Sequence, residues 1–140
     1  MPSKEFSPVN TSDIEYSIKR FTPEVEQMKK EAKPYSFQEY LGMTADQALN
    51  ALKEGNYGIG AVYVYRTGGL EYVFGGRNGI ISRKDTHLHA EQDAIDAVES
   101  LARGETKYKD RLILQRPASH GHEKKCLLQV LNLASCVPEE

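Results

Sequence analysis

The sequence predicts one α/β domain built in layers, a mixed sheet covered by helices. Three observations carry that prediction. The chain has 140 residues, room for one domain with a proper core and not for two. Its periodic segments run in the order helix, hairpin, helix, strand, which suits a layered α/β fold. Its first strand-like run is apolar on both faces, so both sides of the sheet are expected to be covered.

Residues 1–43 read as a polar N-terminal arm with one helix, and residues 44–140 as the domain. Residues 1–12 are polar, carry two prolines and read as a mobile arm. A helix is expected around Thr22–Ala32, with Pro23 in its first turn, where a missing N–H costs nothing. Lys33-Pro34 ends it. Thr44–Glu54 is a cleaner helix: Thr44 and Gln47 have capping-box spacing. Ala45, Ala48, Leu49 and Leu52 share one face, and Gly55 follows as a stop. Ile59–Arg66 and Leu70–Gly75 read as strands joined by a hairpin turn at Thr67-Gly68-Gly69. A loop over Arg77–Leu88 follows. Residues 90–102 then turn helical, with Ala90, Ala94, Ala97, Val98 and Leu101 as the apolar stripe and Gly104 as the stop. Leu112–Leu114 reads as a short buried strand. Cys126–Val137 fits a helix or a buried strand, and periodicity does not decide between them.

Composition narrows the function classes. Hydrophobic residues make up 39% and charged residues 27%, as in soluble globular chains. The net charge of −2 argues against a chain that lives on nucleic acid. Residues 103–125 hold seven basic and three acidic side chains, which could touch phosphate but more commonly make a solvated face. No apolar run reaches the roughly 18–20 residues of a membrane span. The start, MPSKEFSPVN, lacks the apolar core of a signal peptide. Two cysteines without a secretory signal suggest a reducing compartment, so the expected location is cytoplasmic.

The chemistry is concentrated in Asp85-Thr86-His87-Leu88-His89-Ala90-Glu91, at the start of a helix. There, two residues apart, a His and a Glu can face one cleft. The His can hold a metal by one ring nitrogen, and the Glu can stay off the metal and move protons for a bound water. The helix N-terminus favours the ionised Glu. A lone His-x-Glu triplet also arises by chance, and Glu91 is then an ordinary helix-start carboxylate.

The surroundings add to the triplet. Asn78-Gly79 follows a strand eleven residues before His89, and Asp85 stands four before it. Two strands, a loop with Asn, then His-Ala-Glu opening a helix: over Thr44–Leu114 this resembles the cytidine/deoxycytidylate deaminase-like superfamily of zinc deaminases, closest to its guanine and tRNA-adenosine branch. The resemblance implies a three-layer α/β/α fold and hydrolytic deamination of a nucleobase, nucleoside or nucleotide. It implies Zn2+ as cofactor, His89 as a zinc ligand, Glu91 as the proton shuttle and Asn78 as a substrate contact. It also implies self-association into dimers or larger assemblies. Asp85 is a candidate acceptor behind His89, and His87 a loop residue beside the site. Thr86 stands where the family usually has Pro.

The larger departure is the absence of the family's second motif, P-C-x-x-C, which supplies two more ligands. Three explanations stay open. The chain stops short, with Cys136-Val137-Pro138-Glu139-Glu140 leading towards the motif and the sheet incomplete at its C-terminal side. Or the site is degenerate around Pro117–Gly121, with His120 or His122 supplying a ligand. Or Cys126 or Cys136 joins His89 in a rearranged site. Beside each of these, a cysteine flanked by leucines is ordinarily a small core residue. Tyr63, Tyr65 and Tyr72 read as packing, and Gly75-Gly76 lacks the residues of a phosphate loop. The alternative function is a catalytically silent deaminase-like binding module without zinc. A nucleic-acid-editing deaminase is a third reading, against which the overall charge argues.

Overall fold

The computed structural model describes residues 11–80, 89–105, 108–119 and 126–133. The order is α1 (Thr11–Glu31), α2 (Phe37–Lys53), β1 (Ile59–Thr67), β2 (Leu70–Arg77), α3 (Ala90–Ala102), a 3-10 turn (Lys109–Arg111), β3 (Leu112–Pro117) and β4 (Cys126–Asn132). Among the described residues, three α-helices and one four-stranded sheet make a mixed α/β fold. The sheet order is β3-β2-β1-β4.

The hairpin forms as the sequence predicts. Thr67 pairs with Leu70, and Gly68 and Gly69 between them have φ of 57° and 77°. A two-residue turn needs positive φ at both positions to match the twist of its strands. The strands alternate strictly. Val62, Val64 and Val73 face α2, where they pack with Tyr40. Ala61 faces α3 with Ala90 and Ala94, and Phe74 meets Ala97 and Val98. The helices therefore cover opposite faces, as the two-sided apolar run of β1 requires.

The expected mixed sheet is corrected. β2 pairs with β1, β3 with β2 and β4 with β1, each antiparallel. A parallel pair needs a crossover that carries the chain to the far end of the sheet. Here the chain returns after α3 to a place near where it left, since Leu112 pairs with Phe74. β4 then enters beside Tyr65 and runs back to Ile59. β3 is half-exposed at the sheet edge rather than buried, and it bulges opposite Val73/Phe74. The ambiguous last segment resolves as a strand over Cys126–Asn132, because the open side of β1 offers a full row of backbone partners.

Two helix boundaries also differ. α1 begins at Thr11, so Pro23 lies inside it rather than at its first turn. An interior proline costs about 3 kcal/mol. Ile14, Ile18, Phe21 and Val25 form one stripe, and Phe21 and Val25 are buried against Ala45, Leu49, Leu52 and Leu133. Burying two such side chains contributes roughly 3–6 kcal/mol, which outweighs the proline. Residues assigned to the arm thus belong to the core. α2 starts at Phe37, and its cap is Ser36 rather than Thr44: Glu39 N donates to Ser36 Oγ at 3.2 Å, while Tyr35 N donates to Glu39 Oε1 at 3.0 Å. Thr44 lies mid-helix and donates its hydroxyl to the Tyr40 carbonyl at 2.7 Å.

Candidate active site

Helix α3 begins where the sequence places it. His89 is the N-cap in extended conformation (φ −75°, ψ 155°), exposed, with no capping hydrogen bond from its side chain. Ala90 turns inward and is fully buried. Glu91 is half-buried in the first turn. His89 and Glu91 thus flank a buried alanine at one helix start.

Glycine brings that start onto the sheet. A Cβ at Gly76 would lie 2.2 Å from the Ala90 carbonyl oxygen and 2.5 Å from Ala94 N. Gly60 makes the matching approach on the other face, where a Cβ would lie 2.4 Å from Thr44 O. The Gly75-Gly76 pair is thereby explained: Gly75 faces Gln47 of α2 and Gly76 faces α3.

Asn78 sits just past the end of β2 and is 1% exposed. Its backbone N–H donates to Ile59 O at 3.0 Å, extending the strand pairing by one bond. Its Oδ1 accepts from Ile80 N at 3.2 Å, and its Nδ2 has no partner. A buried amide donor left unmade is costly.

A chain of charges that sequence reasoning missed frames the same end of the sheet. Arg77 Nη2 donates to Glu54 Oε2 at 2.9 Å. This hydrogen-bonded carboxylate raises the guanidinium's pKa above its ordinary value, against the opposing effect of burial. Arg77 N donates to Asp93 Oδ2 at 3.2 Å, and Arg111 Nε lies 3.1 Å from the same oxygen, an ion pair in which the N–H is not aligned for a hydrogen bond. The available signal was an acidic residue on the stripe of Ala90, Ala94 and Ala97.

The opposite end holds a second ionic cluster. Glu71 is fully buried and accepts from Arg66 Nε at 2.8 Å, Arg116 Nε at 2.8 Å and Tyr40 OH at 2.9 Å. Burial pushes its carboxyl up, but the bonds from Arg66, Arg116 and Tyr40 prevail and hold it below the usual carboxylate range. Arg116 also grips Glu39 and stacks over the Tyr35 ring at 3.9 Å. Every member here has a partner, so the cluster ties β2 and β3 to α2. Tyr65 and Tyr72 pack across strands with their rings tilted by 39° and their centroids 6.4 Å apart, as the sequence reading expects.

The candidate ligands separate. Cys126 pairs with Tyr65, six residues along β1 from Ile59, which pairs with Asn132. At about 3.3 Å per residue that is roughly 20 Å from the end carrying Asn78, so a site joining Cys126 to His89 is ruled out. Asp85, His87, His120, His122 and Cys136 lie outside the described residues. Among the described residues no group of three His, Cys, Asp or Glu side chains could hold a metal ion. His89 alone is short of the three protein ligands of a catalytic zinc site, so these residues do not make one by themselves. No described helix is long and apolar enough to cross a membrane. No family model, curated protein or solved structure matches the chain.

Proposed function

We propose that the chain is a hydrolytic deaminase of a nucleobase, nucleoside or nucleotide, dependent on Zn2+ and built on a three-layer deaminase-like fold. One observation carries the reading: the buried, unpartnered Nδ2 of Asn78 lies at the strand end onto which the start of α3, with His89 and Glu91, is packed. Two features support it further, the coverage of the sheet on both faces and the close approach at Gly76. The antiparallel β3 and β4 depart from the mixed sheet that the order of elements predicts.

In this reading Asn78 binds the substrate through Nδ2. Its Oδ1 is occupied by Ile80 N–H, so it recognises an acceptor, a ring carbonyl or ring nitrogen, rather than the departing amine. Glu91 takes one proton from the attacking water and delivers it to a ring nitrogen; it then takes the proton of the new hydroxyl and passes it to the amino group, which leaves as ammonia. A carbon–nitrogen bond becomes a carbonyl and ammonia is released. His89 is the one described histidine at this end and the zinc ligand in this reading. The assembly would be homo-oligomeric and the compartment cytoplasmic, with a small-molecule partner.

Ammonia release from a panel of bases, nucleosides and nucleotides tests the reading. Glu91→Ala is expected to lower kcat by about 10²–10⁴-fold, the range of lost acid–base catalysis, with the melting temperature unchanged. Metal analysis of His89→Ala should show lost zinc. A wild-type chain with neither zinc nor turnover is instead the silent binding module.

A further inference from the structure

We infer that Asp93 is a positioning residue that fixes the start of α3 against the strand end carrying Asn78. The inference rests on the deaminase reading of that end of the sheet. Asp93 is 1% exposed, although it is charged and lies on a helix face of alanines. Its two ends touch the two halves of the site. Its backbone N–H donates to the His89 carbonyl at 3.0 Å, the first hydrogen bond of the helix. Its carboxylate accepts from the N–H of Arg77, the residue before Asn78, at 3.2 Å. His89 and Asn78 are thus joined through one residue.

The carboxylate cannot swing freely. Arg111, only 11% exposed at its side chain, stands 3.1 Å from the same oxygen. Arg77 is held from the other side by Glu54 at the end of α2. An apolar residue could fill the volume, but it would lose the oxygen that accepts from Arg77 N–H and faces Arg111. Glu91 and Asn78 do their work only at a set separation, and a shift of 1 Å costs about 100-fold in rate.

The test uses the full chain, with 15N NMR and steady-state deamination of the nucleobase and nucleoside panel. Asp93→Ala should speed amide exchange at Arg77 roughly tenfold, the loss of about one hydrogen bond, with Val64 and Val73 unaffected. It should shift the Asn78 side-chain amide resonances. It should lower kcat by about 100-fold while KM changes little. Asp93→Asn keeps an acceptor for Arg77 N–H and should restore most of kcat. An Asp93→Ala chain with unchanged kcat and an unmoved Asn78 resonance overturns the inference, as does a rate that falls only with the folded fraction. If Asp93→Ala does not fold, Asp93→Glu decides: it keeps the charge but alters the reach, and an unmoved Asn78 signal with wild-type kcat refutes positioning. A wild-type chain that deaminates nothing on the panel sinks the enzymatic reading alone. The Arg77 and Asn78 signals then decide whether Asp93 joins the two elements.

Discussion

Gly76→Ala tests the packing that sets the site. The added Cβ would stand 2.2 Å from Ala90 O, 2.5 Å from Ala94 N and 2.9 Å from Ala94 Cβ. Ordinary contacts of this kind need about 3.5 Å, so α3 must withdraw by roughly 1 Å. Both near neighbours are helix backbone, which cannot rotate aside as a side chain does. The strand cannot retreat either, because β2 lies between β1 and β3 and Gly75 beside it is packed against Gln47 of α2 on the other face. Overpacking a core costs about 1–3 kcal/mol, and backbone on both sides places this substitution at the upper end. For a chain of this length about 3 kcal/mol lowers Tm by roughly 10 °C. Differential scanning calorimetry of the purified chain reads that shift directly. Gly68→Ala is the control: its φ of 57° strains a Cβ, but nothing lies within 4 Å. It should cost about 1 kcal/mol and leave the amide resonances of Ala90 and Glu91 in place, whereas Gly76→Ala should move them. A Gly76→Ala chain that melts within a degree of wild type would refute the close approach and the placement of His89 and Glu91 built on it.

Three further outcomes are expected. Glu71 has a folded pKa below its unfolded value of about 4.3, so the stability it contributes is present above that pH and is lost as pH falls through the folded value; urea titrations from pH 6 to 2 should show this loss setting in below about pH 4, and Glu71→Gln should flatten it while costing roughly 3–5 kcal/mol at neutral pH, as Arg66 loses its carboxylate. Ser36→Ala should lower stability by about 1 kcal/mol in the same assay, whereas removing the Thr44 hydroxyl should leave helix α2 capped. β4 is an edge strand with no charged residue, no proline and exposed Leu127, Leu128 and Val130, the kind of edge that pairs with another chain; sedimentation should show association that Leu128→Lys reduces to the monomer of 15.7 kDa, and a wild-type chain monomeric at high concentration would count against it.

The sequence by itself determined the elements whose cause is local. Gly68-Gly69 specified the hairpin because both positions need positive φ. The stripe of Ala90, Ala94, Ala97 and Val98 specified α3. Apolar residues on both faces of β1 specified a sheet covered on two sides. Tertiary structure decided what depends on distant partners. Pro23 sits inside α1 because Phe21 and Val25 bury against α2 and Leu133, residues far along the chain. β4 is a strand because β1 had an open side, and the sheet is antiparallel because the chain after α3 returns near the end it left. The separation of Cys126 from His89 follows from strand register, which no spacing in the sequence encodes. In the sequence Asp93 is one more acidic residue near a helix start. Its tie to Arg77 and Arg111 exists only because Gly76 lets α3 come close enough to the sheet for its carboxylate to reach.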